Sequence, residues 1–72
     1  MTMDSLFAVC QGHTDAWVCN GSHAVHYHEG RYDLWDTSGA FLDATNQEQS
    51  ISMLAESYEV DLSKGWVLVT HV

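Results

Sequence analysis

Glycine recurs at intervals of nine residues through the first half of this 72-residue chain, at Gly12, Gly21, Gly30 and Gly39. An interval of this length suits a strand of roughly five to seven residues followed by a tight turn. The segments between the glycines are rich in aromatic and β-branched side chains, which favour strands. The spacing therefore predicts an antiparallel β-meander with hairpin turns at Asn20-Gly21 and Glu29-Gly30, and with strands over LFAVC, AWVCN, HAVHYH, RYDLWD and AFLDA.

The hydrophobic period changes after residue 45. Thr45 and Glu48 have the spacing of a capping box, in which the threonine is the N-cap and the glutamate lies three positions later. Apolar side chains then follow at i, i+3, i+4 and i+7, which is one stripe of an α-helix. We therefore expect a helix from about Gln47 to Tyr58 whose stripe is Ile51, Leu54, Ala55 and Tyr58.

A turn at Ser63-Lys64-Gly65 and an apolar run predict one more strand over residues 66–72. A chain of 72 residues forms one domain, here residues 1–72. The predicted fold class is α+β: a small antiparallel β-meander sheet of four to six strands with one α-helix packed on one face. We expect the side chains of Ile51, Leu54 and Trp66 to be buried.

The charge of the chain excludes several classes of function. Ten acidic residues and two basic ones give a formal net charge of −8. Direct binding of DNA or RNA needs a basic face, and an anionic membrane surface would repel this chain. The N-terminal segment lacks the basic and apolar regions of a secretory signal, and two cysteines do not make a disulfide scaffold, so we expect a cytoplasmic protein with free thiols.

Two pairs of soft ligands lie close together near the N-terminus. Cys10 and His13 form the first pair, and Cys19 and His23 form the second. Structural zinc sites are built from such pairs on turns, although the usual finger separates the pairs by about twelve residues and this chain by five. A zinc-stabilised or metal-binding domain that uses these four residues is the alternative hypothesis, and zinc is its cofactor.

Two further histidines, His26 and His28, point to one face of the predicted strand with Cα atoms ~6.7 Å apart. Two imidazoles in this arrangement can share one metal ion. The simpler interpretation is a polar outer face, with Val25 and Tyr27 directed inward. No nucleophile lies in a recognisable activating motif, so we expect a protein that is not an enzyme and has no catalytic residues or cofactor.

The acidic residues are spread along the whole chain, and several repel one another. Glu56, Glu59 and Asp61 lie together at the end of the predicted helix, where the helix dipole is itself negative. Spaced carboxylates can stand in for phosphates on a basic groove. We therefore expect the protein to contact a basic, nucleic-acid-binding partner through the carboxylates of Asp33, Asp36, Glu56, Glu59 and Asp61. Trp35 or Tyr32 would be the aromatic anchor of the contact. The strand pattern does not decide whether Trp35 is exposed or belongs to the core.

In its size, acidity, predicted α+β fold and lack of catalytic motifs, the chain resembles the small phage-encoded inhibitors of bacterial defence, notably anti-CRISPR proteins. The resemblance covers the whole chain and rests on type rather than on a diagnostic motif, so it assigns no residue a role. It implies a phage protein that acts in the host cytoplasm as a DNA mimic or a plug, by protein–protein interaction with a CRISPR effector or a similar nucleic-acid-binding complex.

Overall fold

Along residues 5–63 and 65–71, which the computed structural model describes, two helices and five strands follow one another. Their order is α1 (Leu6–Cys10), β1 (Asp15–Cys19), β2 (His23–His28), β3 (Arg31–Asp36), β4 (Phe41–Thr45), α2 (Glu48–Ser57) and β5 (Val67–His71). The strands form one antiparallel sheet in the order β4-β3-β2-β1-β5. The predicted α+β meander is confirmed.

Tight turns connect the first four strands. Glu29 and Gly30 both have positive φ, at 50° and 77°, which is the signature of a two-residue type I′ hairpin, and this predicted turn is confirmed. The first hairpin lies one residue later than predicted: the amide of Asn20 donates to the carbonyl of His23, so Gly21 and Ser22 are the loop residues. Asn20 Oδ1 accepts from the amides of both Ser22 and His23 and so fixes this loop.

The segment LFAVC is a helix, and its prediction as a strand is wrong. Ser5 is the N-cap, with Oγ accepting from the amide of Ala8 at 3.2 Å. Leu6 and Cys10, four residues apart, are buried on one side of the turn, while Ala8 between them is exposed. A run of five apolar residues has no periodicity that separates these two structures, and here the serine cap and the i, i+4 burial favour the helix.

Helix α2 lies where the 3.6-residue period predicts it, but its cap differs. The N-cap is Gln47, without a side-chain cap hydrogen bond, and Thr45 Oγ1 instead accepts from the Gln47 amide at 3.3 Å. Thr45 belongs to the end of β4, so the predicted threonine cap is wrong. On the predicted stripe, Ile51 is buried, Leu54 is half-buried and Tyr58 is exposed, its hydroxyl donating to the carbonyl of Leu42.

Both helices pack on the same face of the sheet, and the core lies between them and the strands. Trp66, in the bridge before β5, is buried as predicted, and its Nε1 donates to the carbonyl of Asp61 at 2.9 Å. The predicted strand of residues 66–72 is confirmed as β5, except that Val72 lies outside the described residues. The core consists of Leu6, Cys10, Val18, Val25, Tyr32, Leu34, Ile51, Ala55, Val60 and Trp66.

Candidate functional site

One face of the sheet is turned away from both helices, and we call it the open face. Strands alternate, so residues next to the buried Val18, Val25 and Leu34 point to this side. Within the described part of the chain, no element packs over it. Its side chains on β1 to β4 are Asp15, Trp17, Cys19, Ala24, His26, His28, Arg31, Asp33, Trp35, Phe41 and Ala44.

A continuous row of rings crosses the open face. Phe41 meets Trp35 edge to face at a centroid distance of 5.3 Å, and Trp35 lies 6.0 Å from Trp17. Trp17 stacks on His26 at 4.3 Å with an interplanar angle of 3°, and His26 stacks on His28 at 4.3 Å and 15°. Each ring limits the rotation of the next. The row is therefore a rigid aromatic surface across four strands, on which Phe41 is exposed and the other four rings are half-buried.

Carboxylates accept hydrogen bonds from both histidines of this row. The register pairs β1 with β2 and β2 with β3, which brings Asp15 Oδ1 to 2.8 Å from His26 Nε2 and Asp33 Oδ2 to 2.7 Å from His28 Nε2. Arg31 lies 3.5 Å from the other oxygen of Asp33. Ligand atoms of His26, His28 and Asp33 all lie within 4.8 Å of one another. Three donors suited to one metal ion therefore meet on this face.

The structure does not bring together the four predicted zinc ligands. Cys10 belongs to the core under α1, whereas Cys19 lies on the open face on the other side of the sheet. His23 Nδ1 is paired with the hydroxyl of Ser22 at 3.1 Å. A zinc site built on Cys10, His13, Cys19 and His23 is therefore wrong, because the sheet separates its two cysteines.

Burial also decides the chemistry of Cys10. Loss of water contacts raises the pKa of its thiol from 9.0 to about 11, so the group is a protonated thiol at neutral pH. Cys10 helps to line a groove of about 510 Å³ between α1 and the sheet, together with Phe7, Gln11, Tyr27 and Tyr32. A protonated thiol is a poor nucleophile, so Cys10 does not supply an activated sulfur to this groove.

The predicted partner contacts fall on different parts of the molecule. Asp33 and Trp35 lie on the open face, and Trp35 is half-buried with no acceptor for its Nε1 among the described residues. Tyr32 is 5% exposed and packs against Phe7 and Tyr27 in the core. An exposed role for Tyr32 is therefore wrong.

Asp36 belongs to the turn between β3 and β4. Its Oδ1 accepts from the Ser38 hydroxyl at 2.6 Å and from the amides of Ser38 and Ala40 at 2.9 Å each. The hydrogen bond from the Ser38 hydroxyl, followed by that from the Ala40 amide, holds the pKa of Asp36 below 3.8. The carboxylate therefore stabilises the turn.

The other three acids surround the C-terminal end of α2. Val60 donates to the carbonyl of Ala55 at 2.7 Å and Glu59 to that of Glu56 at 3.3 Å, which is a Schellman motif with Glu59 at the C′ position. Glu59 has φ 58°, a conformation that favours glycine. Asp61 Oδ1 accepts from Ser63, and Glu56 and Glu59 form no ion pair with any residue the structure describes. We call Glu56, Glu59 and Asp61 the helix-end acids.

Sequence reasoning missed Trp17 and Asp15 as site residues. Their signal was present in the strand register, because each stands opposite or diagonal to a histidine of β2 once the hairpin is placed correctly. Comparison of the chain with family models, curated proteins and solved structures finds no match. Among the described residues, neither helix has the length and apolar character needed to cross a bilayer.

Proposed function

We propose that this protein is a non-enzymatic acidic inhibitor that binds and occludes a basic, nucleic-acid-binding surface of a host protein, in the manner of the anti-CRISPR type. The observation that carries the proposal is the uncompensated negative charge. Ten acids face two basic residues, and one of those two, Arg31, is already paired with Asp33. A partner of opposite charge would be drawn to this surface over long range.

The helix-end acids also favour a partner with a basic surface. They lie where the helix dipole already places partial negative charge, and the last turn of α2 contains no basic residue. The charges of Glu56 and Glu59 lower the stability of the helix and form no ion pair among the described residues, whereas Asp61 also holds the turn to Ser63. A partner rich in lysine and arginine would relieve the repulsion, which favours binding and speeds association.

The open face supplies apolar area that could anchor such a complex. Aromatic residues dominate interface hot spots, and the row from Phe41 to Trp17 offers them on a rigid support. A standard interface takes about 800 Å² from each partner. The total surface is 4508 Å² and the extents are 27 × 26 × 24 Å, so a partner groove that admits the whole body would meet both the open face and the helix-end acids.

The experiment compares the wild type with a variant that combines Glu56→Gln, Glu59→Gln and Asp61→Asn. The wild type is immobilised and exposed to a nuclease-treated bacterial lysate, and proteins that it holds and an empty matrix does not are purified; binding of both variants to the purified protein is then compared. Affinity is then measured between about 50 and 200 mM salt, where phosphate-like contacts weaken steeply. Glu29→Gln, an exposed single neutralisation at the β2–β3 turn, is the charge control.

We expect affinity for the purified partner to fall as salt rises, chiefly through slower association. The triple variant should lose clearly more than the ~0.2–1 kcal/mol typical of one exposed charge, while the control loses no more than that. Affinity that ignores salt, together with normal binding by the triple variant, would show that the acidic surface is only a solubility device.

A further inference from the structure

We propose that His26, His28 and Asp33 form a site for a single Zn²⁺ ion on the open face. The three side chains come from the β2–β3 hairpin, and the site does not depend on the proposed function. His26 and His28 are two residues apart on β2, and Asp33 stands directly opposite His26 on β3. All three are half-buried, so the site is accessible and partly shielded from water.

The geometry is close to that of a metal site. Zinc bonds of ~2.0–2.2 Å to nitrogen and oxygen place the ligands of a tetrahedral ion ~3.3–3.5 Å apart. The three donor atoms already lie within 4.8 Å of one another, and His28 Nε2 is 2.7 Å from Asp33 Oδ2. Rotation of the histidine side chains out of their stacked arrangement would bring the donors to the bonding distance. An ion would then take the place of the proton shared by His28 and Asp33.

The donor set selects the class of ion. Two imidazoles and one carboxylate suit zinc and similar first-row divalent ions, whereas Mg²⁺ and Ca²⁺ prefer sites made of oxygen alone. Asp15, whose Oδ1 is 2.8 Å from His26 Nε2, brings a second carboxylate to the site. A formal charge of −8 on the chain further favours a cation.

Stacking orders the rings of the two histidines on the open face before any ion binds. Trp17 lies parallel to His26 at 3°, and His26 lies almost parallel to His28 at 15°. Because an imidazole binds a metal ion in the plane of its ring, one of these two stacked rings has to turn for both to reach one ion, and binding gives up part of the stacking. Arg31 also opposes binding, because its guanidinium lies 3.5 Å from Asp33 Oδ1 and competes with a cation for that carboxylate.

The test uses the full chain without a histidine tag. Zinc chloride is titrated by calorimetry, and Co²⁺ is used as a spectroscopic probe whose visible absorption reports its coordination. The variants His28→Gln, His26→Gln and Asp33→Asn each remove one ligand. His23→Gln is the matched control, because it removes a histidine of the same strand that lies at the hairpin loop and pairs with Ser22. Circular dichroism in EDTA checks that each variant is folded.

We expect one ion per chain, and a loss of at least about 100-fold in affinity for each ligand variant, since even residues behind the ligands contribute about 10–100-fold. His23→Gln should bind as the wild type does. Arg31→Gln should bind zinc several-fold more tightly, a gain that a merely structural role for the pair would not produce. Zinc that does not bind the folded wild type, or that binds folded His28→Gln and His26→Gln unchanged, would overturn the proposal.

Discussion

The substitution Glu59→Gly tests whether the glutamate at the end of α2 lowers the stability of the fold. The residue has φ 58° at the C′ position of the Schellman motif that ends α2. A side chain in this left-handed region destabilises the fold by about 1–2 kcal/mol, and glycine removes this strain. Glycine also loses more backbone entropy on folding, which opposes the gain by about 0.5–1 kcal/mol. Removing an exposed negative charge from the helix C-terminus adds about 0.3 kcal/mol. The sum is a stabilisation of about 1 kcal/mol.

Glu59→Gln separates the two contributions, because it removes the charge and keeps the side chain. We expect it to stabilise the fold by only about 0.3 kcal/mol. Urea unfolding followed by tryptophan fluorescence measures both variants, and Glu59→Gly should also raise Tm by about 4–8 °C. If glycine were no more stable than glutamine at this position, the left-handed cap would not be present in solution. If the helix-end acids bind the partner, Glu59→Gly should be the more stable protein and the weaker binder.

Two further substitutions test the core. Ile51→Asp should abolish the cooperative unfolding transition seen by circular dichroism, because it removes about 1.5–3 kcal/mol of burial and places an unpaired charge in the core of a small domain. The control Ser52→Asp lies on the exposed side of the same helix and should stay folded. A folded Ile51→Asp would mean that the buried face of α2 is misassigned. The buried thiol of Cys10 should make the fold less stable at alkaline pH. The thiol loses its proton near pH 9 in the unfolded chain but only near pH 11 in the folded protein. The contribution of Cys10 to the free energy of unfolding is therefore complete below pH 9 and falls as the pH rises toward 11. Urea unfolding between these pH values should show that the free energy of unfolding falls more steeply with pH for the wild type than for Cys10→Ala. Equal pH dependence of the two proteins would contradict the burial of this thiol.

The meander could be predicted because its turns need positive φ. Gly21, Gly30 and Gly39 all have φ between 77° and 94°, and glycine adopts this conformation at little cost. The spacing of the glycines therefore reports the spacing of the turns. Helix α1 could not be predicted in the same way, since five apolar residues fit both a strand and one helical turn, and Ser5 as a cap was the signal that separates them.

The site was only half predictable. Alternation along β2 places His26 and His28 on one face, but their carboxylate partners depend on strand register. The two-residue turn at Glu29-Gly30 sets His26 opposite Asp33, so this contact follows from the predicted hairpin. A turn centred on Asn20-Gly21 would place Trp17 opposite Ala24, whereas the observed loop places Trp17 opposite His26. An error of one residue in the position of this turn was therefore enough to prevent the prediction of the stacking between Trp17 and His26.

Alternation also decides between the two aromatic anchors. Tyr32 and Trp35 are three residues apart on β3, so they cannot point to the same face of a regular strand. The buried Leu34 shares its side with Tyr32, and Trp35 therefore belongs to the open face. The pattern RYDLWD contained this information, but it needed one core residue to fix which side is buried.

The central claim, that this protein occludes a nucleic-acid-binding surface, is tested most directly by competition. The purified partner is loaded with a fluorescently labelled oligonucleotide that it binds, and anisotropy is followed as wild-type protein is added at low salt. The account predicts that the oligonucleotide is released at stoichiometric protein, and that the variant carrying Glu56→Gln, Glu59→Gln and Asp61→Asn needs a much higher concentration. A stable complex in which the partner holds the oligonucleotide and this protein together would contradict it.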